Sequence, residues 1–328
     1  MRALITGAGG FVGAHLCAYL LAHTDWELLG TVYPRPAEAQ RPEPRLRLQY
    51  ADLRDPEGVR ALVDEAQPDY IFHLAAQSFV PTSFADPWDT LENNIRAQLN
   101  LLEAVRRLDR EGRGAVTVPL LVIGSNEEYG APQPEELPHT EESPLRPNNP
   151  YAVSKVAQDF LGLQYHLAYG LPVVRVRPFN HTGPGQSPRF VVPAFASQIA
   201  RIEAGLQEPV MRVGNLDAAR DFSDVRDIVR GYHLAVTRGE PGEVYNLASG
   251  RPQSVRNLLE TLLGYSQAKI RVEIDPERYR PVDVPVAYGS AEKFRQRTGW
   301  MPQIPFEQTL RDTLEYWRGQ VEAVERAM

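Results

Sequence analysis

The stretch Arg2-Ala-Leu-Ile-Thr6-Gly7-Ala-Gly-Gly10-Phe-Val-Gly13 decides how this chain folds. Arg2 to Thr6 reads as a short apolar strand, and Ala14 to Leu21 reads as an apolar-periodic helix. Between them lie Gly7, Gly10 and Gly13, in the spacing Gly-x-x-Gly-x-x-Gly. A strand, a glycine turn and a helix start together make a cradle for a dinucleotide's phosphates. Gly7 permits the tight turn, Gly10 lets a pyrophosphate approach the backbone, and Gly13 lets the helix close on the sheet. Phe11 and Val12 stand in the same turn and belong with these cofactor contacts.

Working outward, Trp26 to Tyr33 is the second strand. A site that prefers NAD usually carries an acid near this strand's end for the ribose 2′-hydroxyl. Here the end reads Thr31-Val-Tyr-Pro-Arg35, with no carboxylate and one arginine. That leans toward NADP, with Arg35 either a partner of the 2′-phosphate or a solvated loop residue. Leu46 to Tyr50 leads to Asp52-Leu53, where an aspartate just past a strand can reach the adenine amino group. The apolar strand Tyr70 to Leu74 ends in the small-residue turn Ala75-Ala76, suited to close passage of a cofactor. Asn93-Asn94 read as the opening of a helix through Arg107, and Val118 to Gly124 as another buried strand. Strands alternating with helical segments predict an α/β fold with a doubly wound parallel sheet, of Rossmann type. Ala131 to Pro150, rich in proline and glutamate, reads as a surface loop over a site entrance.

Composition narrows the class. The chain has 328 residues, enough for two domains, and a net charge of −7, which gives no global field for nucleic acid or anionic lipid. The single cysteine, Cys17, lies in an apolar helical run and reads as a buried structural thiol. No apolar run reaches the roughly 18 residues of a membrane span, and the first strand begins at residue 2 with no leader ahead of it. A cytoplasmic enzyme is the expectation, and no metal-ligand cluster is expected.

The chemistry gathers at Tyr151-Ala-Val-Ser-Lys155, whose tyrosine and lysine lie one turn apart on a helix face. An ammonium near a phenol favours phenolate, which would lower the tyrosine pKa toward neutrality and suit it to proton transfer at a sugar oxygen. Lysine is rare here, only Lys155, Lys269 and Lys293 among 35 basic residues, so a lysine kept at this place suits a need for a point charge. Ser125-Asn-Glu-Glu-Tyr-Gly130 comes after a strand at the sheet's carboxyl edge, where Ser125 can hydrogen-bond the oxygen that Tyr151 protonates. Of Glu127 and Glu128, strand alternation predicts that one faces the site. After the strand Val173 to Pro178 comes Phe179-Asn-His-Thr-Gly-Pro-Gly185-Gln186, a loop that can shape a substrate pocket around Asn180. His181 reads as an acid or base, or as a structural hydrogen-bonding group. Arginines in Arg220 to Asp227 and in Arg278 to Asp283 can hold a diphosphate.

Together, Thr6 with its glycines, Asp52-Leu53, His73-Leu-Ala-Ala76, Ser125 with Tyr129-Gly130, Tyr151-x-x-x-Lys155 and Arg177-Pro-Phe-Asn180 resemble the extended short-chain dehydrogenase/reductases that act on nucleotide sugars. Phe179 to Gln186, Val213 to Phe222 and Arg280-Pro-Val-Asp-Val284 look like the branch acting on GDP-sugars. The resemblance implies that Ser125 and Tyr151 bind the C4 oxygen and that Lys155 holds the nicotinamide ribose and tunes Tyr151. It assigns Asn180 and Arg220 to the sugar-diphosphate, and Arg280 with Asp283 to the nucleotide end. It further implies an NAD(P)-binding domain over residues 1–178, completed by about 221–248 and 286–298. A smaller α/β substrate domain is expected from 179–220, 249–285 and 299–328, interleaved toward the C-terminus. A homodimer is expected through helices near 93–107 and 151–168.

Two reactions of that branch remain open at this level. One is NAD(P)H-dependent reduction of the C4 keto group of GDP-4-keto-6-deoxy-mannose. The other is 4,6-dehydration of GDP-mannose, which needs a carboxylate beside the tyrosine. Family dehydratases place a glutamate where Glu127 stands and tend to read Ser-Thr-Ser-Glu-Leu-Tyr-Gly there. Glu128 in place of the apolar residue, the intact Gly183-Pro-Gly-Gln186 loop and Val213-Gly-Asn-Leu216 look more like the reductase, while Asn126 fits neither pattern.

Overall fold

Strand β1 (Arg2–Thr6) is buried from its second residue onward, because it runs through the middle of a sheet covered on both faces. Helix α1 (Phe11–His23) starts from Gly10, directly after the turn. The alternation continues with β2 (Glu27–Val32), β3 (Leu46–Tyr50), α2 (Pro56–Ala66), β4 (Tyr70–His73), α3 (Val80–Ala85), α4 (Pro87–Arg110), β5 (Leu120–Ile123), α5 (Pro150–Tyr169) and β6 (Val173–Pro178). This computed structural model describes residues 1–34, 43–110, 117–276 and 284–327.

The second part of the chain is more mixed. It runs β7 (Asn180–Thr182), α6 (Val191–Glu203), β8 (Val210–Val213), β9 (Ala219–Asp224), α7 (Val225–Arg238) and β10 (Val244–Leu247). It ends with β11 (Pro252–Ser254), α8 (Val255–Gly264), β12 (Arg271–Ile274), β13 (Val286–Ala287), α9 (Glu292–Thr298) and α10 (Phe306–Ala327).

The main sheet has seven strands in the order β10-β6-β5-β4-β1-β2-β3, every neighbouring pair parallel. The order reverses between β1 and β4, which opens a crevice at the strands' carboxyl ends. On one face Leu16 and Leu20 of α1 pack with Val225 and Ile228 of α7 and with Trp300. On the other, Val59 and Leu62 of α2 pack with Leu101, Leu102 and Val105 of α4 and Tyr165 of α5. Each such leucine removed from water contributes about 2 kcal/mol, so the two faces hold the sheet flat against its helices. A second core gathers Phe195 and Ile199 of α6, Met211 and Val213 of β8, Leu258 and Leu262 of α8, and Leu310 and Leu314 of α10. Around it β8 pairs with β12, and β9 pairs with β7, β11 and β13.

The doubly wound parallel sheet expected from the sequence is present, as is the strand Val173 to Pro178, and two local expectations change. Helix α4 begins at Pro87, not at Asn93-Asn94. Asn94 is buried within it, with Nδ2 donating to the Gln77 carbonyl at 3.0 Å and to Ser154 Oγ at 2.9 Å. A buried amide satisfied on both sides tolerates a helix interior that asparagine otherwise disfavours. Strand β6 is wholly buried although it carries Arg175 and Arg177, because both guanidinia pair with Asp159 of α5. The segment 131–149 is no free surface loop. His139 N donates to the Tyr288 carbonyl at 2.9 Å, Ser290 N donates back to His139 at 2.8 Å, and Asn246 N donates to Glu141 Oε1 at 2.7 Å.

Candidate active site

A cleft of about 620 Å³ lies at the carboxyl ends of β1, β2, β4, β5 and β6. Gly7, Gly10, Phe11, Val12, Gly13, Asp52, Leu53, Leu74, Ala75, Ala76, Ser125, Glu127, Tyr151, Lys155 and Asn180 all line it. The glycine turn is shaped by close approach. Gly7 has φ +73°, and a Cβ there would stand 2.9 Å from Ala75 Cα, so the turn after β1 and the small-residue turn after β4 fit only as a pair. A 620 Å³ cleft bordered by this turn suits a dinucleotide and an adjoining substrate. The residues present fit a nicotinamide dinucleotide: backbone N–H groups at the start of α1 for its phosphates, and a buried lysine and tyrosine beyond.

Tyr151 and Lys155 arrive together because Pro150 sits in the first turn of α5 and Asn149 caps it, Oδ1 accepting from Ala152 N at 2.8 Å. Both side chains are buried. Lys155 Nζ donates to the Ile123 carbonyl at 2.9 Å and lies 5.9 Å from the Tyr151 ring centre. The expected pull of the ammonium on the phenol is overturned by burial. Desolvation pushes the Tyr151 phenol well above its ordinary value, the Ser125 hydrogen bond opposes it, and the Glu127 and Glu128 carboxylates add to it. Burial likewise brings the Lys155 ammonium down to about 8, partly offset by Glu128. Among the protein's own groups, then, Tyr151 is a firmly protonated donor.

Ser125 is placed by the turn after β5. Residues Asn126–Tyr129 form a 3-10 turn, not a strand, so their side chains fan out around one turn. Ser125 Oγ accepts from Glu127 N at 3.2 Å, and Ser125 N donates to Glu128 Oε1 at 2.7 Å, a capping box. One acid faces the cleft, as expected, but the 3-10 turn is the reason. Glu127 lines the cleft, with Oε2 accepting from Asn149 Nδ2 at 3.0 Å. Glu128 is fully buried behind Ser125, its Oε2 3.1 Å from Arg177 Nε without a hydrogen bond to it. Burial and then the Asp159 carboxylate push Glu128 well above the usual carboxylate range, with Arg177 opposing. Gly124 makes the room, since a Cβ there would fall 2.3 Å from Glu128 Oε1.

At the far end, Asp52 accepts a bidentate contact from Arg54, which holds the carboxyl below its ordinary range. On the other side of the cleft, His181 turns Nδ1 to the Phe179 carbonyl at 2.9 Å. A carbonyl only accepts, so Nδ1 carries the proton, and burial lowers the ring's pKa. That is a neutral, loop-bracing histidine. Cys17 is buried and its thiol is pushed up to about 12 by desolvation. Among the described residues no group of His, Cys, Asp and Glu could hold a metal ion, and no helix is long and apolar enough to cross a membrane.

Arg220 does not line this cleft. It lies on β9, with Nη1 donating to the Ala219 carbonyl at 2.9 Å. Arg35, Arg280 and Asp283 lie outside the described residues. Three lining residues had no signal in the sequence: Phe79, Phe190 and Tyr232. Phe79 and Phe190 meet edge to face at 5.6 Å across the substrate side, a pairing of distant segments that no local pattern encodes.

This architecture has known relatives. The family model of GDP-mannose 4,6 dehydratase matches residues 4–313. The chain is 40% identical over 321 residues to the GDP-6-deoxy-D-mannose reductase of Pseudomonas aeruginosa, covering 98% of each. It is 33% identical to GDP-mannose 4,6 dehydratase 2 of Arabidopsis thaliana, covering 94% of this chain and 84% of that one. Among solved structures, RMD from Pseudomonas aeruginosa complexed with NADPH superposes with a TM-score of 0.84 at 38% identity, over 98% of this chain and 100% of the other.

Proposed function

The chain belongs to the GDP-mannose 4,6-dehydratase family of extended short-chain dehydrogenase/reductases, and from that membership we propose its reaction. It is a nucleotide-sugar oxidoreductase that uses NAD(P)H to reduce the C4 keto group of GDP-4-keto-6-deoxy-D-mannose, giving a GDP-6-deoxyhexose of the GDP-rhamnose type. The observation that carries this reading is Tyr151, a buried phenol that lines the cleft with Ser125 and stands one helical turn from Lys155.

A reduced nicotinamide, when bound, supplies the hydride that C4 receives. Ser125 and Tyr151 hold the C4 oxygen between two donors and stabilise the charge that develops there. Tyr151 then passes its proton to that oxygen. Burial keeps the phenol protonated before the step but by itself makes it a weaker acid, and Lys155, one turn away, works against that by steadying the phenolate left behind. Gly7, Gly10, Phe11, Val12, Gly13, Asp52, Leu53, Leu74, Ala75 and Ala76 form the cofactor's wall. Asn180 faces the sugar, and Arg220 is assigned to the diphosphate farther along.

The second reading, a 4,6-dehydratase recycling a tightly bound NADP, is favoured by one observation: Glu127 lines the same cleft as Tyr151. The two readings separate in a single experiment. Purified protein is given GDP-mannose without reductant, or GDP-4-keto-6-deoxy-mannose with NADPH or NADH, and the products are identified by nuclear magnetic resonance. Consumption of the keto sugar only with reductant is expected; a 4-keto sugar formed from GDP-mannose alone would overturn the reductase reading.

The division into two domains goes with this reading. Its support is that β10 extends the main sheet, while α7 and Phe294 of α9 pack into the first core. A homodimer does too. On α5, Val153, Phe160 and Leu167 recur every seventh residue along one face and are 44%, 51% and 74% exposed, with Leu99 of α4 37% exposed. Phe160→Arg would then yield a monomer by light scattering, and an unchanged mass would sink that assignment. A cytoplasmic location is part of the same proposal.

A further inference from the structure

Phe79 and Phe190 reach the cleft from two distant segments and meet edge to face, 5.6 Å apart at 77°. Both are partly buried. Phe79 stands just ahead of α3 and is tied to the helix that carries Tyr151. Its amide donates to Gln77 Oε1, Gln77 N donates to Oδ1 of the buried Asn94 at 2.7 Å, and Asn94 Nδ2 donates to Ser154 Oγ, beside Lys155, at 2.9 Å. The exposed Arg189 lies over the Phe79 ring, its guanidinium carbon 5.7 Å from the ring centre. Phe190 stands just ahead of α6, the helix that packs into the second core. Its amide donates to the Ser187 carbonyl at 3.1 Å, and its carbonyl accepts from Ala194 N at 2.8 Å. Two apolar rings are thus held in the same cleft as the polar Ser125, Glu127, Tyr151 and Asn180.

We infer that Phe79 and Phe190 receive the C6 methyl group of the sugar and make this cleft prefer a 6-deoxyhexose to a hexose. The inference deepens the reductase reading and rests on it. With C4 held between Ser125 and Tyr151, C6 is only two bonds away, so it stays at the end of the cleft to which Phe79 is tied. The other substituents of the sugar ring are oxygens, and the methyl is its one apolar group. Burying that methyl against two rings is favourable without any polar partner. A C6 hydroxyl in the same place loses its water and gains no hydrogen bond from a phenylalanine. Glu127, the carboxylate of the same cleft, is the rival partner for that hydroxyl and would draw a hexose instead. The rings and the carboxylate therefore lead to opposite preferences, which binding can read.

GDP-mannose and GDP-6-deoxy-D-mannose differ by one hydroxyl, on C6, and neither carries a keto group for NADPH to reduce. The full chain, saturated with NADPH, is titrated calorimetrically with each sugar and with GDP. The 6-deoxy sugar is expected to bind between about fivefold and about a hundredfold tighter, the range over which an apolar pocket rejects an added hydroxyl. Phe79→Ser should bring that ratio to about twofold or less, and Phe190→Ser should lower it in the same direction, because each admits water and a hydroxyl partner. GDP should bind both variants as it binds the unaltered chain, which shows the site intact. Phe79→Leu, still apolar, should keep most of the preference. Equal binding of the two sugars by the unaltered chain, or tighter binding of GDP-mannose, overturns the inference while nucleotide-sugar binding stands. A full preference in either serine variant overturns it as well. So does a leucine variant that loses as much as serine, because the ring would then only shape the cleft. Weakened GDP binding in the serine variants would set the rings against the nucleotide, and that also overturns it. If the unaltered chain binds neither sugar, the nucleotide-sugar reading fails first and takes this one with it.

Discussion

Asn149 fastens Glu127 to the helix that carries the phenol: its Nδ2 donates to Glu127 Oε2 at 3.0 Å while its Oδ1 accepts from the Ala152 amide at 2.8 Å. One buried side chain therefore caps α5 and fixes a carboxylate in the cleft. The two jobs separate by substitution. Serine keeps a capping oxygen but loses the amide donor, whereas alanine loses both. Asn149→Ala is expected to be less stable than Asn149→Ser by about 1 kcal/mol in urea unfolding, the usual worth of an N-cap. Both variants lose the tie to Glu127, so their kcat values should match each other even though their stabilities differ. Equal stabilities would mean that the cap contributes nothing here.

Glu128 holds Ser125 from behind, and its charge is not what matters. Burial and Asp159 already favour its protonated form, so glutamine reproduces it closely: an acceptor for Ser125 N in a space that Gly124 leaves open. Leucine instead strands a buried N–H, a loss of about 1–3 kcal/mol. Steady-state kinetics should show Glu128→Gln within about threefold of the unaltered kcat and Glu128→Leu down by about tenfold or more, as donor placement in such sites commands. A leucine variant with full activity would show that Ser125 keeps its place without the capping box.

Which of these features a sequence can disclose depends on how far away their causes lie. The glycine turn is local: strand, turn and helix start are contiguous, and the atoms nearest a Cβ at Gly13 belong to Gly7 and Ala8. Tyr151 and Lys155 are likewise one helical turn, set by Asn149 and Pro150 beside them. Glu128 is different. Nothing near it distinguishes it from Glu127; its burial comes from Arg177 on β6 and Asp159 on α5. The phenol's raised pKa escaped local reasoning for the same reason, since spacing reveals a neighbouring charge but not the depth of burial. The segment 131–149 looked loose because its fastenings, at Asn246 and at Tyr288 to Ser290, come from far down the chain.

Lys155 should leave a signature in the pH dependence of stability. In the unfolded chain its amine binds a proton below 10.5, but in the fold only below about 8. Between those values the unfolded chain holds more protons, so stability rises with pH across that window, and below it the full penalty applies. A difference of this size corresponds to on the order of 3 kcal/mol. Lys155→Met removes the buried charge, so without cofactor it should be the more stable protein at pH 7, with the gap closing as pH approaches 10.5. Urea unfolding of both proteins at pH 7, 9 and 10 measures it; a constant gap would mean that Lys155 titrates in the fold as it does in the unfolded chain, so that burial does not lower its pKa.

Gly10 and Gly13 stand in one turn yet should fail differently when each gains a methyl group. At Gly13 a Cβ would lie 2.2 Å from the Gly7 carbonyl oxygen and 2.7 Å from Ala8 Cα. Both are backbone atoms of the turn itself, so the start of α1 must move away from β1, at a cost of about 1–3 kcal/mol. At Gly10 the nearest atom is again the Gly7 oxygen, but at 3.3 Å, a contact that a shift of a few tenths of an ångström relieves. Gly10→Ala should therefore unfold near the unaltered temperature and still bind NADPH weakly, since the added methyl stands where the pyrophosphate approaches the backbone. Gly13→Ala should lose stability first, and binding as a consequence. Thermal unfolding paired with NADPH titration separates the cases. If Gly10→Ala kept both normal stability and normal NADPH affinity, the phosphates could not lie against this turn.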